Sequence, residues 1–391
     1  MKICFVTNNI AEIGGRQRIN TVVCNGLAEK EEMEISILFT SEREIAYKHM
    51  YSLDKKINIL WDKELVRGKY SDLNYKILRF INKKVYNSSS FDYLKKVYFP
   101  EFEIKSYENF FKKNKFDVVV GVGTRPAAII SLLKIDSKKI AWLHCSYDIY
   151  FRKKGYFQWR QEILYQRLLE QLDDIIVLTD KDVNIYQKEL KKKPIRIYNP
   201  LSFKCDKKSA LLGNKLLFVG RLDFELKGLD LLVESMKKIK MAVPDFELTV
   251  VGEGKGKKRF LEEIEKYQLS SHVIFIGQTT DVITYYQNAS VVVLPSRQES
   301  FGLVVTEAME CGVPVVAYET DGPSEIIKNG ENGFLIEKYN TDIFADKIIE
   351  LCLNEQLRYS MAKKAIQRAQ DFSLDKILEK WKQIFESGMK Y

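Results

Sequence analysis

The stretch that decides the fold is Pro295 to Pro314, which reads PSRQESFGLVVTEAMECGVP. It follows a run of valines with a leucine, Ser290 to Leu294, that has the composition of a buried strand. After a polar turn, apolar and small residues recur at helical spacing until Gly312 and Pro314 end the helix and begin another strand. Alternation of buried strands with helices is typical of a parallel sheet.

Two carboxylates in this stretch, Glu299 and Glu307, are predicted to bracket the first two turns of the helix. At roughly 1.5 Å per residue, the intervening helix would separate them by about 12 Å. The N–H groups of Ser300, Phe301 and Gly302 are predicted near the upstream end, where a helix attracts an anion. A sugar nucleotide, with phosphate between two hydroxyl-rich rings, fits an anion site flanked by carboxylates. The alternative is an ordinary capped helix with solvent-facing glutamates.

Composition narrows the class of protein. The chain has 391 residues, which suggests two or three domains, and 46% hydrophobic residues, as in ordinary α/β proteins. Six cysteines are scattered without C-x-x-C pairs, which predicts free, buried thiols in a reducing cytoplasm. We find no apolar run of about 18 residues and no signal-type N-terminus, so we expect a cytoplasmic protein that neither spans a membrane nor is exported.

Charge is concentrated in the first half of the chain. In residues 1–200 there are 36 Lys and Arg against 25 Asp and Glu, whereas the remainder has 26 against 28. Residues 51–115 hold 15 basic and 8 acidic side chains, interleaved with aromatic residues, and are predicted to form helices with loops. Such a segment suits an anionic membrane surface or polymer, although a solvated lysine-rich surface is an equal alternative. No nucleic-acid-binding signature accompanies the charge.

Short apolar runs separated by helix-compatible stretches continue along the whole chain. The predicted strands of the first half are Lys2–Thr7, Glu34–Thr40, Asp117–Val122, Lys139–His144 and Asp174–Thr179. Those of the second half are Lys215–Gly220, Phe246–Gly252, Val273–Gly277, Ser290–Leu294, Val315–Tyr318 and Phe334–Ile336. Asn199-Pro200 and the polar run after it predict a linker between two doubly wound domains, and Asp375–Ser387 predicts a terminal amphipathic helix.

Several residues stand at predicted strand ends, where such a sheet binds its ligands. Gly14-Gly15 precedes the first helix and allows a bound group to approach the backbone. His144 ends a strand, which leaves a structural or a functional role open. Arg221 and Lys227 flank one strand-to-helix junction and suit a diphosphate, Arg through forked hydrogen bonds and Lys as a point charge.

Two further motifs resemble known sites without matching them. Gly252, Gly254 and Gly256 imitate a dinucleotide fingerprint, but the third glycine comes one position early, so we predict a tight turn that lines a nucleotide and no nicotinamide. Asp180-Lys181-Asp182 imitates a metal-binding D-x-D, but it stands where a helix begins, and helix capping explains it better.

Together these motifs carry a family resemblance. Gly14-Gly15, Gly220-Arg221, Lys227-Gly228, ESFG with Glu299 and Glu307 eight apart, EAM..G.PV and GPSEII resemble the retaining GT-B glycosyltransferases of family 4. The resemblance covers nearly the whole chain and is most specific in the second half. It implies two Rossmann-like domains facing a central cleft, an acceptor-binding domain 1–199 and a donor-binding domain 200–374, with helix 375–391 crossing back onto the first.

The resemblance also implies a role for each matching residue. Arg221 and Lys227 would hold the diphosphate, Glu299 would contact the hydroxyls of the donor sugar, Glu307 would contact the ribose, and His144 would lie near the reacting centre. Catalysis is assigned to Glu299, His144, Arg221 and Lys227. The predicted donor-binding residues are Gly14, Gly15, Arg221, Lys227, Gly252, Glu299, Ser300, Phe301, Gly302, Leu303 and Glu307.

The activity implied is transfer of a hexosyl or N-acetylhexosaminyl group from a nucleotide sugar, UDP-linked, to a lipid-linked or polymeric cell-surface glycan. No cofactor, metal or nucleic acid is implied, and the basic segment suggests peripheral contact with the inner face of the cell membrane. A sugar-nucleotide epimerase and a non-catalytic nucleotide-sugar sensor are the alternatives. The failed glycine fingerprint disfavours a dehydrogenase.

Overall fold

The computed structural model describes residues 1–8, 14–40, 51–65, 77–82 and 90–388. The chain divides into two units, Met1–Pro200 with Ile377–Tyr391, and Leu201–Lys376. Each unit contains one sheet in which every strand is parallel to its neighbours, with helices between most successive strands. This is the GT-B class of α/β fold that the alternating pattern and the resemblance predict.

The sheet of the first unit has seven strands in the order β3-β2-β1-β4-β5-β6-β7. Their bounds are β1 Lys2–Thr7, β2 Glu34–Phe39, β3 Asn58–Trp61, β4 Val118–Val122, β5 Lys138–Trp142, β6 Asp174–Val177 and β7 Ile195–Arg196. The central strands are buried along nearly their whole length, because parallel sheets are covered on both faces.

The helices of this unit connect the strands, except for the last, which comes from the end of the chain. They are α1 Gly15–Ala28, α2 Phe91–Tyr98, α3 Glu101–Lys113, α4 Thr124–Leu132, α5 Glu162–Leu169, α6 Asp180–Glu189 and, starting three residues before the unit boundary, α15 Leu374–Glu386. A 3₁₀ turn, Lys63–Leu65, and a π-helical turn, Asp148–Arg152, complete the unit.

The sheet of the second unit has six strands in the order β10-β9-β8-β11-β12-β13. They are β8 Lys215–Val219, β9 Glu247–Val251, β10 Val273–Gly277, β11 Val291–Leu294, β12 Val315–Tyr318 and β13 Gly333–Ile336. The helices are α7 Phe224–Lys227, α8 Leu229–Ala242, α9 Lys257–Lys266, α10 Ile283–Asn288, α11 Leu303–Glu310, α12 Asp321–Ile326, α13 Thr341–Leu353 and α14 Glu355–Ala369, with 3₁₀ turns at Ser270–His272 and Gln370–Phe372.

We expected the basic segment 51–115 to form only helices and loops, and this prediction is wrong for one part of it. Asn58–Trp61 forms β3, which pairs in parallel with β2 at the edge of the sheet. An edge strand is held by backbone hydrogen bonds on one side and is only half-buried, so its apolar run is too short to stand out among the lysines. Residues 66–76 and 83–89 of this segment, among them Tyr70 and Tyr86, lie outside the described residues.

The final helix completes the core of the first unit. Its buried Trp381 packs edge-on against Trp142 of β5 and Phe5 of β1, with ring centroids 4.9 and 6.2 Å away. At its end, Lys138 Nζ donates hydrogen bonds to the carbonyl oxygens of Ile384 and Ser387, both at 2.5 Å, which caps the last turn. The apolar stripe predicted from the sequence is therefore the buried face.

All six cysteines are free and five of them are buried, as the sequence predicts. Across the described residues, we find no helix that is both long and apolar enough to cross a membrane.

Candidate functional site

The predicted site of the second unit is centred on an ion pair between Lys227 and Glu299. Lys227 is the last residue of α7, whose N-terminus is capped by Asp223 through hydrogen bonds from the N–H groups of Glu225 and Leu226. Glu299 lies in the loop that follows β11, and its Oε1 accepts hydrogen bonds from Lys227 Nζ and, at 3.0 Å, from Ser296 Oγ. The two predicted catalytic side chains of opposite charge are thus in direct contact.

Gly228 makes this contact between α7 and the loop possible. It adopts φ 61°, in the left-handed region that favours glycine, and separates α7 from α8. A Cβ atom at this position would overlap the carbonyl oxygen of Pro295, where the loop begins. The Lys227-Gly228 pair therefore supplies both the cation and the space for the loop that carries Glu299.

Arg297 holds the same loop against α7 and α8. Its guanidinium donates to both carboxylate oxygens of Asp230, at 2.7 and 2.6 Å, and to the carbonyl oxygen of Phe224 at 2.7 Å. The hydrogen bond to Asp230 raises the pKa of Arg297 despite burial, which acts in the opposite direction. This forked geometry fixes the loop two residues before Glu299.

The helix after the loop begins later than the sequence suggests. α11 starts at Leu303, because Gly302 has φ 87° and cannot continue a right-handed helix. Glu299 therefore lies outside the helix, so the estimate of about 12 Å of helix between it and Glu307 is wrong. The amides at the start of the helix belong to Leu303 and the residues after it, and Ser300 to Gly302 form the turn before them.

Phe301, one of the predicted donor-binding residues, has a buried side chain. It is 3% exposed, and its ring packs edge-on against Phe372 at 5.9 Å. On the other side, Gly322 lies so close that a Cβ atom there would overlap the carbonyl oxygen of Phe301. The Gly322 N–H also donates to the carbonyl oxygen of Glu299 at 3.0 Å, so the GPSEII segment packs against the loop and holds its backbone.

Glu307 is buried rather than solvent-facing, with 2% exposure. Its Oε1 accepts a hydrogen bond from Ser202 Oγ at 2.8 Å, and its Oε2 accepts one from Tyr286 at 2.9 Å. The alternative of an ordinary exposed glutamate is therefore wrong. Contact with a ribose stays a prediction, and the carboxylate already joins three parts of the second unit.

Arg221 and the glycine run lie at the ends of β8 and β9. Arg221 is exposed, lies two residues after the end of β8, and has no ion-pair partner in the described part of the chain. A Cβ atom at Gly252 would overlap the carbonyl oxygen of Gly220, and one at Gly254 would lie 2.5 Å from that of Leu222. The glycines are needed because the two loops touch, and the predicted tight turn is confirmed.

The predicted site residues of the first unit surround the start of α1 and the end of β5. Gly14 is the N-cap of α1 and Gly15 its first, exposed residue, while residues 9–13 of the same loop lie outside the described part. His144 comes two residues after β5 ends, stacks obliquely on Trp142 with ring centroids 4.4 Å apart, and is 8% exposed.

The imidazole of His144 is electrostatically unusual. Burial, followed by the charge of Arg16, lowers its pKa from 6.5 to about 3, so the ring is neutral near pH 7. Its Nε2 is buried and has no hydrogen-bond partner among the described residues. An unpaired buried ring nitrogen suits a ligand hydroxyl, which would supply the missing hydrogen bond.

The D-x-D sequence, Asp180-Lys181-Asp182, forms the first turn of α6. Thr179 is the N-cap of α6, its Oγ1 accepts the N–H of Asp182 at 3.1 Å, and it donates to the Asp182 carboxylate at 2.9 Å. The prediction that these residues stand where a helix begins is confirmed, whereas the capping residue is Thr179 and the two aspartates lie in the first turn. Within the described ranges there is no group of three or more His, Cys, Asp or Glu side chains that could hold a metal ion.

Sequence reasoning missed the residues that position the site. Arg297 and Asp230 are 67 positions apart, and Ser202 and Glu307 are 105 apart, so no local pattern connects them. The one indication in the sequence that Arg297 belongs to the site is its position inside the stretch Pro295 to Pro314.

Residues 206–368 match the family described as Glycosyl transferases group 1. Over 388 residues the chain is 30% identical to an uncharacterized glycosyltransferase of Haemophilus influenzae, covering 98% of this chain and 99% of that protein. It is also 28% identical over 292 residues to the poly(ribitol-phosphate) α-N-acetylglucosaminyltransferase of Staphylococcus aureus, covering 72% of this chain and 57% of that one.

A similar solved structure is that of TarM from S. aureus, in complex with fondaparinux, α-GlcNAc-glycerol and UDP. It has a TM-score of 0.74 at 18% identity and covers 99% of this chain and all of its own, which establishes a shared GT-B fold. The match to the Haemophilus protein spans nearly the whole of both chains at 30% identity, and it establishes the family. This chain belongs to the group 1 glycosyltransferases.

Proposed function

We propose that this protein is a retaining glycosyltransferase that moves a hexosyl or N-acetylhexosaminyl group from a UDP-linked sugar to a lipid-linked or polymeric cell-surface glycan. The Lys227–Glu299 ion pair carries the proposal. It joins a cation suited to a diphosphate and a carboxylate suited to sugar hydroxyls, the two chemistries of a nucleotide sugar. UDP in the TarM complex and the teichoic-acid chemistry of the S. aureus relative support the choice of donor and acceptor.

In this proposal the ion pair exchanges partners when the donor binds. The diphosphate takes the place of Glu299 beside Lys227, and the exposed guanidinium of Arg221 adds forked hydrogen bonds to the same group. Glu299 then accepts hydrogen bonds from the sugar. Positioned cations stabilise the charge that develops as the diphosphate leaves, so the reaction requires no metal and no cofactor.

The acceptor oxygen attacks the anomeric carbon on the face that the leaving group vacates. The bond from that carbon to the diphosphate oxygen breaks, the bond to the acceptor oxygen forms, and the diphosphate takes the acceptor proton. His144, neutral because of its lowered pKa, is assigned a hydrogen bond to the donor sugar. No side chain of the protein needs to form a covalent bond.

The test begins with a thermal-shift screen of nucleotide sugars, followed by transfer to candidate lipid-linked and polymeric acceptors. Glu299→Gln should lower transfer roughly 100-fold while the protein stays folded. The matched control is Glu234→Gln, which removes a carboxylate from the surface ion pair with Lys237 and should leave transfer unchanged. Unchanged transfer by Glu299→Gln, or conversion of the donor to an epimer without acceptor, would refute the proposal. Retention is read from the anomeric configuration of the product.

We also propose that the first unit contacts an anionic membrane surface from the cytoplasmic side. In the basic segment, Ile77, Leu78 and Phe80 are exposed by 49%, 39% and 64% beside Arg79. Exposed apolar residues among cations suit the boundary between lipid headgroups and acyl chains. Phe80→Ser should reduce sedimentation with anionic liposomes, whereas Leu212→Ser, at an equally exposed position of the second unit, should not. Equal sedimentation of both variants and the unmodified protein would contradict membrane contact.

A further inference from the structure

Residues 153–160 form an exposed loop, KKGYFQWR, whose composition the proposed function does not explain. The loop contains Lys153, Lys154 and Arg160, three aromatic residues and no carboxylate. It lies between the π-helical turn Asp148–Arg152 and α5, in the long connection that follows β5. Ligands of a parallel sheet bind at the connections after the carboxyl ends of its strands, so the loop starts from the ligand-binding edge.

Tyr150 connects this loop to the His144 segment. The His144 N–H donates to the Tyr150 hydroxyl at 3.3 Å, and the Gln158 N–H donates to the Tyr150 carbonyl oxygen at 2.9 Å. The ring of Tyr150, 2% exposed, packs edge-on against Phe157 at 5.3 Å. One buried tyrosine therefore holds both the segment of the predicted catalytic histidine and the loop.

The aromatic rings of the loop arrange its charges. Lys153 Nζ lies 4.4 Å from the centre of the Tyr156 ring, and the Arg160 guanidinium lies 4.4 Å from that of Trp159. Cation–π contact keeps these charges beside the rings rather than dispersed in solvent. Phe157 is 51% exposed and Lys154 is exposed, so the loop presents both an apolar ring and a cation to solvent.

This combination fits a chain of alternating phosphates and polyol or sugar units. Lys and Arg bind phosphate oxygens, and exposed aromatic rings bind the C–H faces of polyols and sugars. We propose that residues 153–160 bind the acceptor of the proposed transferase and select an acceptor that carries phosphate groups. The inference rests on the proposed function and adds to it the chemical class of the acceptor and the loop that recognises it.

Binding can be measured without any donor. The probe is dye-labelled poly(glycerol phosphate), followed by fluorescence anisotropy, with dextran of similar length as the uncharged comparison. The full chain should bind the phosphate polymer, lose affinity as salt rises because the contacts are ionic, and bind dextran at least 10-fold more weakly. The double variant Lys154→Glu/Phe157→Ala should weaken polymer binding about 10-fold or more. Lys154 is exposed and Phe157 is half-exposed, and the hydrogen bond from Gln158 N–H to the Tyr150 carbonyl oxygen still holds the loop backbone, so the overall fold should be retained.

The charge-matched control is Lys258→Glu, because the Lys258 side chain is 91% exposed and lies in the second unit. It should bind the polymer within about twofold of the unmodified chain. Equal binding by the loop variant, equal binding of dextran, or a loss of anionic-liposome binding in place of polymer binding would overturn the proposal. Loop-dependent polymer binding by a chain that transfers no sugar would refute the proposed function and leave the loop assignment intact.

Discussion

Lys227 and Glu299, 72 positions apart in the chain, pair with each other at the point where the end of α7 meets the loop that follows β11. Each side chain is mostly buried, with 21% and 12% exposure, so each charge is desolvated and depends on the other. Under the proposed function, a donor that binds here would replace this internal partner with its own phosphate and hydroxyl groups.

The first prediction is that the two residues act as a unit. Lys227→Met and Glu299→Gln should each lower kcat/KM by about 100-fold to 1000-fold, and the double variant should be at most about tenfold worse than either single variant. Steady-state kinetics of the unmodified chain, the two single variants and the double variant gives a double-mutant cycle that measures this coupling. Multiplicative losses would show that the residues contribute independently.

The second prediction concerns Arg297, which we regard as a positioning residue. Lysine cannot reproduce the forked hydrogen bonds to Asp230, so Arg297→Lys should lower kcat about tenfold with little change in KM for the acceptor. Arg259→Lys is the control, because the Arg259 guanidinium stacks on Phe224 of the same short helix. If both variants lowered kcat alike, the effect would come from α7 and not from the loop.

The strands of both sheets could be predicted from the sequence because burial on both faces gives them continuous apolar runs. β1 and β12 have the predicted bounds, and β11 differs by one residue. The edge strands β3 and β7 were missed because they are short and incompletely buried, so they have no continuous apolar run. The start of α11 was misplaced because Gly302 has a φ of 87°, which ends the preceding turn and which the apolar spacing of the sequence does not reveal.

The charged residues of the candidate site could be predicted from the sequence, but their burial and hydrogen-bond partners could not. Lys227 and Glu299 were assigned to one ligand, and they are in contact. The burial of Glu307 was not foreseen, because its partners Ser202 and Tyr286 come from distant elements.

A third prediction follows from that burial. Glu307→Gln places an amide donor against hydroxyl groups that now donate to a carboxylate, so the free energy of unfolding of the second unit should fall by about 1–3 kcal/mol. Urea unfolding measures this change. Tyr286→Phe, which removes one of the two partners, should cost less. Unchanged stability of Glu307→Gln would show that the hydroxyls reorient without penalty.

The fourth prediction is a pH dependence. The folded pKa of His144, about 3, lies below the ordinary 6.5, so between these values the unfolded chain binds a proton that the folded chain excludes. Stability contributed by the neutral ring is therefore present above pH 6.5 and is lost as the pH falls, by at most about 1.4 kcal/mol per pH unit. Differences in unfolding midpoint between pH 7.5 and 5.0 should be smaller in His144→Asn than in the unmodified chain. An identical pH dependence would contradict the burial of a neutral imidazole.

The packing of Trp381 against Trp142 and Phe5 has a consequence for biosynthesis. The first 200 residues leave the ribosome long before the helix that covers their sheet, and the entire second unit is synthesised in between. Until that helix arrives, Trp142 lacks its largest aromatic neighbour and the first unit resembles a domain with a missing core helix. The nascent first unit therefore exposes apolar surface that favours chaperone binding, and its core is completed only once that helix has been synthesised.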